Sequence, residues 1–345
     1  MTKSLSLILL LLLTFLSQVV FSDTKKSPPS SKVKIIYDTD FGGDADDLGA
    51  LAMLHYYHDK EMIDLLAVMS WSHETYALPA IDAVNSFYGK PHLPLAVRNS
   101  GQWLTEWNYS KAISDSFPYD LSEPHSVKDA VALYRKILAS AEAHSITIVT
   151  VGPLANINNL LLSEADSVSD LSGKDLVNQK VREFVIMGGR FPKDPKSQGP
   201  EWNFDGNMKG VTKSVLSHIK RPIIFSGYEI GLAIKSGPEL NKHPKNTPLY
   251  VGYKYFSEHA PWIKHLYKGE IVSNPSYDQT AVVYAAIGAV DQFWTLSPAG
   301  TVFADERGYT TWTAHPEGRH KYLILKQPTA ATARYISKVM RHKDP

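Results

Sequence analysis

Short apolar runs rich in β-branched residues, separated by segments with helical periodicity, constrain this chain more than any other feature. The runs cover residues 33–37, 63–70, 146–151, 181–187 and 222–226. A short apolar run without polar alternation is typical of a strand that is covered on both faces of its sheet. Strands that alternate with helices form parallel sheets with right-handed crossovers. The sequence therefore predicts an α/β fold with one open, mostly parallel sheet and helices on both faces.

Helical periodicity between the strands supports this architecture. The apolar spacing predicts helices over residues 48–57, 79–88 and 127–144. From residue 295 onward, spaced glycines are typical of hairpins, so we expect a small antiparallel appendage at the C-terminal end. No second linker interrupts the chain, and residues 33–345 are therefore expected to form a single domain.

The N-terminal segment predicts a targeting signal rather than part of the domain. Lys3 precedes an almost purely apolar stretch over residues 5–16, and a tolerated cleavage site near Ser22 completes the pattern of a secretory signal over residues 1–22. The alternative is an uncleaved anchor, because 19 uncharged residues follow Lys3 and roughly 20 span a bilayer. Residues 23–32 are rich in Pro, Ser and Lys and predict a flexible linker. We therefore expect a secreted or periplasmic protein without membrane contact beyond the signal segment.

Composition narrows the classes of function. The chain has 36 basic and 35 acidic residues and a net charge of +1, so it lacks the basic excess with which proteins bind nucleic-acid phosphates. It has no cysteine, which excludes disulfides, zinc–thiolate sites, iron–sulfur clusters and thiol nucleophiles. A hydrophobic content of 43% is that of a globular rather than a disordered chain. The expected partner is a small molecule.

The most unusual local feature is an acidic loop directly after the first predicted strand. Five carboxylates fall within residues 38–47: Asp38, Asp40, Asp44, Asp46 and Asp47. Like charges at this spacing repel and raise each other's pKa values, so the cluster has little structural use unless a cation binds. Carboxylate oxygens are the ligands that Ca²⁺ and Mg²⁺ take, and Gly42 and Gly43 permit the tight backbone that lets them converge. The alternative is helix capping with a solvated loop, which accounts for one or two of the acids.

Other unusual segments also follow predicted strands. They cover residues 71–74, 152–156 and 188–205. In open α/β sheets, ligands bind outside the carboxyl ends of the strands. We therefore expect these segments to meet the acidic loop at one edge of the sheet.

Several of these segments resemble motifs of the inosine–uridine-preferring nucleoside hydrolases. Residues 38–47 resemble the acidic signature of that family, in a longer variant with two extra residues before the final Asp pair. Residues 148–156, 185–189 and 201–204 resemble its V-x-x-GPLTN, VxMGG and E-[FW]-N motifs. Asp278 falls where the family has a metal-binding Asp preceded by His. Five motifs in the family's order identify the chain as a member, and the resemblance implies the nucleoside hydrolase-like fold.

The resemblance also implies a calcium site. In such enzymes one Ca²⁺ holds the nucleophilic water and the ribose 2′- and 3′-hydroxyls. By resemblance its ligands in this chain are Asp40, Asp47, the backbone carbonyl of Val151, and Asp278. Asp40 is also the implied general base that takes the proton of the water. Without the resemblance, Asp278 is equally well interpreted as a helix N-cap.

The sugar site follows from the same resemblance. Asp46 is expected to bind a ribose hydroxyl, and Met187, Glu201 and Asn203 complete the implied site. Asp44 lies in the two-residue insertion, and the sequence does not rank it against Asp46 for the same role. A site that holds a hydroxyl rejects the analogue lacking it, so ribose is expected to be selected over 2-deoxyribose.

The part of the site that contacts the base departs from the family pattern. Tyr277 replaces the His that protonates the leaving purine, and an ordinary tyrosine pKa near 10 matches that role less well. The Asn expected after the second strand is absent, and His73 is the candidate for contacting ribose or base there. The loop over residues 190–200 lacks a clear Asn for the ribose 5′-hydroxyl. Stacking on a base is expected from some of five tryptophans: Trp71, Trp103, Trp107, Trp202 and Trp262.

The sequence therefore predicts an N-glycosyl hydrolase that cleaves ribonucleosides, or a related riboside, with Ca²⁺ and with Asp40 as general base. The alternative is a non-catalytic ribosyl- or nucleoside-binding protein on the same scaffold. A phosphatase with a D-x-D nucleophile loop fits residues 38–40 superficially, but it leaves the acids at 44–47 unexplained. By resemblance, the protein is also expected to form a homo-oligomer.

Overall fold

A computed structural model of the protein describes residues 32–101, 104–121, 126–127, 129–191, 199–206, 208–326 and 328–343. The predicted signal segment 1–22 and nearly all of the predicted linker 23–32 lie outside these residues. From Lys32 onward the chain forms one compact unit. None of the helices in the described ranges has the length and hydropathy needed to cross a membrane.

The predicted strands lie in one sheet, which has eleven strands within the described residues. Its parallel part contains, in sheet order, β13 (His320–Leu325), β7 (Ile223–Ser226), β6 (Val181–Met187), β5 (Ile146–Thr150), β1 (Val33–Thr39), β2 (Ile63–Ser70), β3 (Leu95–Val97) and β4 (Ser126–Val127). The chain runs from β1 to β4 towards one edge and then returns to β5 on the other side of β1. The point at which the strand order reverses therefore lies between β1 and β5, where ligands bind in folds of this kind.

The C-terminal strands confirm the predicted antiparallel appendage. They are β10 (Trp294–Leu296), β11 (Gly300–Ala304) and β12 (Thr310–Ala314). β12 pairs antiparallel with β11, and both β10 and β11 pair antiparallel with β13. β13 itself continues the parallel sheet beside β7. A separate two-stranded sheet joins β8 (Lys235–Ser236) to β9 (Asn274–Pro275).

Helices connect the strands. They are α1 (Asp46–Asp59), α2 (Ala77–Phe87), α3 (Ser110–Ser116), α4 (Ala130–Ser140), α5 (Ala155–Leu162), α6 (Gly173–Lys180), α7 (Trp202–Asp205), α8 (Val211–His218), α9 (Tyr228–Ala233), α10 (Pro248–His259), α11 (Tyr277–Ile287) and α12 (Ala330–Met340). The predicted helix over 127–144 is shorter in the structure. It begins at Ala130 because Asp129 accepts a hydrogen bond from the backbone N–H of Val131 at 2.8 Å and caps the helix.

Both faces of the sheet are covered, as the uninterrupted apolar strands predict. On β1, Ile35 and Tyr37 are buried in one apolar cluster, together with residues of α1 and α11. Ile36 points to the opposite face and is buried in a second cluster with residues of α4, α5 and α8. Residues i and i+1 of a strand face opposite sides, so each strand contributes to both layers. The fold is the predicted α/β architecture with helices on both faces.

Candidate active site

The acidic loop bends back between β1 and α1, and a neighbouring loop holds it in place. Gly42 has a φ of 110°, a left-handed conformation that favours glycine. A Cβ atom at this position would lie 2.6 Å from the side chains of Asn108 and Ser110. The indole N–H of Trp107 donates to the Gly43 carbonyl at 3.0 Å. The close approach of these two loops therefore requires glycine at position 42.

Three carboxylates converge where α1 and α11 begin. Carboxylate oxygens of Asp46, Asp47 and Asp278 all lie within 4.8 Å of one another, and all three residues are buried. The backbone N–H of Asp278 donates to Oδ2 of Asp46 at 3.2 Å. Both helices begin here, so their positive dipole ends favour negative charge at this point.

The electrostatics of this group fit a bound cation. Burial raises the pKa of Asp46, Asp47 and Asp278 well above the usual carboxyl value, and the charges of neighbouring carboxylates raise these pKa values further. Buried like charges at this distance are costly unless a partner of opposite charge is present. Oxygen atoms from several carboxylates are the donor set of a hard divalent ion. The three acids can therefore hold a metal ion.

Asp40, the predicted general base, lies beside the three-carboxylate group but not within it. It is 7% exposed, and the indole N–H of Trp202 donates to its Oδ2 at 3.4 Å. Burial raises the pKa of Asp40 to about 7. Gly152 makes this position possible, because a Cβ there would lie 2.8 Å from the Asp40 backbone nitrogen. The end of β5 thus reaches Asp40 across the point at which the strand order reverses.

The other two acids of the loop have different surroundings. Asp44 is half-buried, accepts a hydrogen bond from Nδ2 of Asn274 at 2.6 Å and lines the same cavity as Asp40. Asp38 is buried away from the cavity lining, where it accepts hydrogen bonds from Tyr134 Oη at 2.8 Å and from Asn156 Nδ2 at 3.1 Å. Four of the five acids in the loop therefore face the site, and Asp38 fixes the end of β1.

The sugar-site candidates join the ends of β5 and β6. Asn203 Nδ2 donates to the Val151 carbonyl at 2.5 Å and contacts the Met187 carbonyl at 3.2 Å and its sulfur at 3.0 Å. Both carboxylate oxygens of Glu201 accept backbone hydrogen bonds, from Gly189 at 3.1 Å and from Asn203 at 3.0 Å. Burial raises the pKa of Glu201 to about 7. The predicted metal-binding carbonyl of Val151 is thus already in a hydrogen bond, although a carbonyl oxygen has a second lone pair.

These groups surround a cavity of about 570 Å³, within the usual range of small-molecule sites. The predicted residues that line it are Asp40, Asp44, Asp46, Asp47, Val151, Met187, Glu201, Asn203, Tyr277 and Asp278. Three of the five tryptophans predicted as stacking candidates also line it: Trp107, Trp202 and Trp262. Lining residues to which the sequence prediction gave no role include Arg190, Asp205 and Tyr228. The structure thus brings together nearly all of the predicted site.

Aromatic side chains form two parts of the cavity wall. Trp107 and Trp262 meet edge to face with their ring centroids 5.4 Å apart. Tyr228 and Tyr277 stack with ring centroids 5.2 Å apart and an interplanar angle of 24°. Burial, followed by a hydrogen bond to Tyr228, raises the pKa of Tyr277 well above its ordinary value. The side chain in the position of the usual His is therefore a half-buried phenol that stacks on a second phenol.

His73 is not brought to this site. It is exposed, and its Nδ1 lies 2.7 Å from the Arg98 carbonyl oxygen, outside the cavity lining. Trp71, predicted as a stacking candidate, is buried under the Arg98 guanidinium, 4.5 Å from the ring centroid, and does not line the cavity. Trp103 lies outside the described residues. Trp71 and His73, in the loop after β2, therefore pack against Arg98 and do not form the expected contact with the nucleobase.

Two of the missed residues had a signal in the sequence. Arg190 directly follows Gly188–Gly189 at the end of β6, and Tyr228 directly follows Gly227 at the end of β7. Both positions lie at carboxyl ends of parallel strands, where site residues are expected. The residue types, an arginine and a tyrosine, do not by themselves indicate a role in a carboxylate-rich site, so neither residue was predicted as part of it.

Comparison with known proteins agrees with this geometry. The sequence profile described as inosine-uridine preferring nucleoside hydrolase matches residues 35–309. A plant nucleoside hydrolase has a similar structure, with a TM-score of 0.65 at 16% identity over 90% of this chain and 99% of that chain. An inosine-uridine preferring nucleoside hydrolase from Bacillus anthracis gives 0.64 at 15% identity, covering 90% and 99% of the two chains. A type III effector protein, XopQ, solved with adenosine diphosphate ribose, gives 0.65 at 13% identity, covering 92% and 94%.

A comparison with curated protein sequences found no match. At these identities the structural likeness establishes the fold, and the profile match over most of the chain establishes the family. The family consists of N-glycosyl hydrolases that act on nucleosides, which agrees with a carboxylate-lined cavity able to hold a metal ion. This chain belongs to the inosine-uridine preferring nucleoside hydrolase family.

Proposed function

We propose that this protein hydrolyses the N-glycosidic bond of a ribonucleoside or a related riboside, with Ca²⁺ as its metal. The observation that carries the proposal is the group of Asp46, Asp47 and Asp278 beside Asp40 on one cavity. Side chains at such a position can meet a vicinal diol and a water molecule together. The family match supports the general reaction, and the donor set supports a hard cation.

The proposed metal ligands are Asp40, Asp47, Asp278 and the carbonyl of Val151. Ca²⁺ held there would supply a Lewis acid that orients the ribose 2′- and 3′-hydroxyls and lowers the pKa of the attacking water. Calcium takes six to eight oxygen ligands, so waters and the sugar hydroxyls complete the set. Asp46 is the proposed partner of a ribose hydroxyl, and Asp44 lies close enough to the same cavity to share that role.

The protein's own groups supply the remaining steps. Asp40 accepts a proton from the attacking water as the oxygen bonds to the anomeric carbon and the C–N bond breaks. The sugar passes through a positively charged, oxocarbenium-like state, as in other glycoside hydrolysis. The surrounding carboxylates stabilise that charge where it develops. The products are ribose, whose new hydroxyl keeps one proton of the water, and the free base, which takes up a proton from solvent as Asp40 releases the one that it accepted.

A non-catalytic ribosyl-binding protein is the second candidate, and one observation favours it. The described residues that line the cavity include no histidine, and the Tyr277 ring is stacked on Tyr228. A missing proton donor to the leaving group costs roughly 10²–10⁴-fold in rate. The similar effector structure was solved with a ribosyl compound, which is compatible with binding on this scaffold.

A matched pair of substrates tests the proposal. Release of hypoxanthine from inosine and from 2′-deoxyinosine is measured with Ca²⁺ present, alongside calorimetric titration of both compounds. We expect inosine to be cleaved roughly 10⁴-fold more efficiently, because buried groups that bind the 2′-hydroxyl lose their partner in the deoxy compound. Binding of inosine without turnover would favour the second candidate. Equal cleavage of both compounds would contradict the proposed diol site.

We also propose that residues 1–22 direct export and that the mature protein self-associates. N-terminal sequencing of the mature protein tests the first, with Asp23 as the expected first residue. Sedimentation of the mature protein tests the second, with a dimer or larger species expected.

A further inference from the structure

One basic side chain, that of Arg190, lies in a cavity whose other charged lining residues are acidic. Carboxylates dominate the polar lining, and among the described lining residues Arg190 is the one basic side chain. A substrate carrying a negative group would be repelled by most of this surface. The position of Arg190 therefore decides where, if anywhere, the cavity can accept an anion.

Arg190 is held at both its backbone and its side chain. Its backbone N–H and carbonyl lie 3.5 and 3.4 Å from the hydroxyl of Thr310 on β12. The preceding carbonyl, of Gly189, accepts a hydrogen bond from the backbone N–H of Tyr228 at 2.9 Å. The guanidinium carbon lies 3.8 Å from the ring centroid of Tyr228. A guanidinium on a ring face is stabilised by cation–π attraction and keeps its N–H donors at its edge.

The stacked groups form a continuous side of the cavity. Tyr228 contacts both the guanidinium and the ring of Tyr277, and Tyr277 directly precedes Asp278 of the three-carboxylate group. Two stacked tyrosine rings therefore connect the guanidinium of Arg190 to the residue that precedes Asp278. A riboside bound by its diol would extend along these rings towards Arg190.

A purely structural role for Arg190 is to neutralise nearby acids. Its charge acts on Glu201 and Glu229 and lowers the pKa of both. These carboxylates are nevertheless fixed by backbone donors: Glu201 by two N–H groups and Glu229 by the N–H of Phe191 at 3.1 Å. Both carboxylates thus have backbone donors besides the charge of Arg190.

We propose that Arg190 is a specificity-determining residue that selects ribosides bearing an anionic group, a phosphate or a carboxylate. The inference rests on the proposed riboside hydrolysis and adds a substrate class to it. An arginine fork binds the oxygens of a carboxylate or phosphate in a bidentate manner, with strong charge-assisted hydrogen bonds. The anionic group can belong to the base or to the 5′-position of the sugar, since both lie beyond the diol.

Three compounds that share one base separate these sources. Uridine, uridine 5′-monophosphate and orotidine, which carries a carboxylate on the uracil ring, are compared by kcat/KM with Ca²⁺ present. We expect one of the two anionic compounds to exceed uridine by at least about 10-fold, the size of one charged hydrogen bond. Preference for the monophosphate places the anion at the sugar, and preference for orotidine places it on the base.

Variants assign the preference to Arg190. Arg190→Gln is expected to bring the ratio of anionic to neutral substrate close to one, and Arg190→Lys to keep part of it, because lysine retains the charge without the fork. Arg307→Gln is the matched control, because Arg307 also lies over a tyrosine ring, that of Tyr309 at 5.5 Å, but is outside the cavity lining. The control is expected to keep the wild-type ratio.

The inference is overturned if wild-type protein prefers uridine to both anionic compounds, or if Arg190→Gln keeps the wild-type ratio. Thermal melting of each variant checks that the fold is retained. Calorimetric binding of the same three compounds gives the same comparison without turnover. Failure of all three to be hydrolysed would therefore count against the proposed function, while the binding ratios would still decide the role of Arg190.

Discussion

The backbone N–H of Asp278 donates to Oδ2 of Asp46 at 3.2 Å, although 232 positions of the chain separate the two residues. This contact joins the first turns of α1 and α11. Because it brings Asp278 to the pair Asp46–Asp47, the carboxylate group exists only when the two ends of the domain have folded together. Changes at any of the three acids should therefore affect metal binding and folding jointly.

Asp40→Asn is expected to lower kcat by roughly 10²–10⁴-fold, the usual contribution of a general base. Asp40 is outside the three-carboxylate group and is nearly fully buried, so the variant removes a costly charge and should keep the fold. Free base released from inosine measures the activity, and thermal melting measures the fold. Asp115→Asn changes an exposed acid that pairs with Lys111 and serves as the control. Wild-type activity in Asp40→Asn would contradict the proposed base.

Asp278→Asn is expected to weaken Ca²⁺ binding by at least about 10-fold. Mutation of residues that only hydrogen-bond to metal ligands already lowers metal affinity by about this factor, and Asp278 is proposed to be a ligand itself. Isothermal titration of Ca²⁺ into metal-free protein measures the affinity. Asp205→Asn is the matched control, because Asp205 lines the same cavity but is not part of the carboxylate group. If the two variants bind Ca²⁺ alike, the metal site lies elsewhere.

The Tyr277 position predicts which leaving groups depart easily. The ring of Tyr277 stacks on that of Tyr228, and no histidine lines the cavity among the described residues. We expect p-nitrophenyl riboside, whose leaving group needs no proton, to be cleaved roughly 10²-fold or more faster than inosine. Steady-state kcat/KM values for both compounds provide the comparison. Similar values would mean that another acid performs the role of the missing His.

His55 predicts a loss of stability in acid. It is fully buried, its Nε2 lies 2.8 Å from Asn85 Oδ1, and its ring stacks on Tyr88 at 4.8 Å. Burial lowers the pKa of His55 to about 3, whereas an unfolded chain has a histidine pKa of about 6.5. Below a pH of about 6.5, His55 is protonated in the unfolded state but stays neutral in the folded state. The free energy of unfolding therefore falls as the pH falls from about 6.5 towards 3.

Replacing the ring removes this dependence. Urea denaturation at pH 6.5 and at pH 5 should show wild-type protein losing about 1.6 kcal/mol more than His55→Gln over that interval, because the loss approaches about 1.4 kcal/mol per pH unit only below the unfolded pKa. The comparison uses the change between the two pH values, so the cost of the substitution itself cancels. Parallel pH dependences of the two proteins would show that His55 is not responsible.

Much of this fold can be predicted from the sequence because its strands are buried on both faces. Such strands are short apolar runs, and the rule that ligands bind at their carboxyl ends then points to the acidic loop, to Val151 and to Met187. The carboxylate group followed from the charge cluster and the family resemblance together. The predicted ligand set was Asp40, Asp47 and Asp278 with the Val151 carbonyl; in the structure Asp47 and Asp278 converge with Asp46, and Asp40 lines the same cavity beside them.

The remaining features of the site depend on the orientation of side chains, which the spacing of residues in the sequence does not determine. Asp38 and Asp40 are two residues apart, yet Asp38 bonds to Tyr134 while Asp40 faces the cavity, because β1 ends between them and the chain turns. Likewise, Arg190 and Tyr228 come from different strand ends and form a stack only through tertiary contact. His73 follows a strand as predicted, but its ring turns to the Arg98 carbonyl.

Hydrolysis of a panel of ribosides with and without a calcium chelator tests the central claim most directly. Free base is measured for each compound with the full-length protein, then again after chelation and after Ca²⁺ is restored. If the buried carboxylate group works through a divalent ion, chelation abolishes release of base and Ca²⁺ restores it. Undiminished hydrolysis in the presence of the chelator would contradict the account.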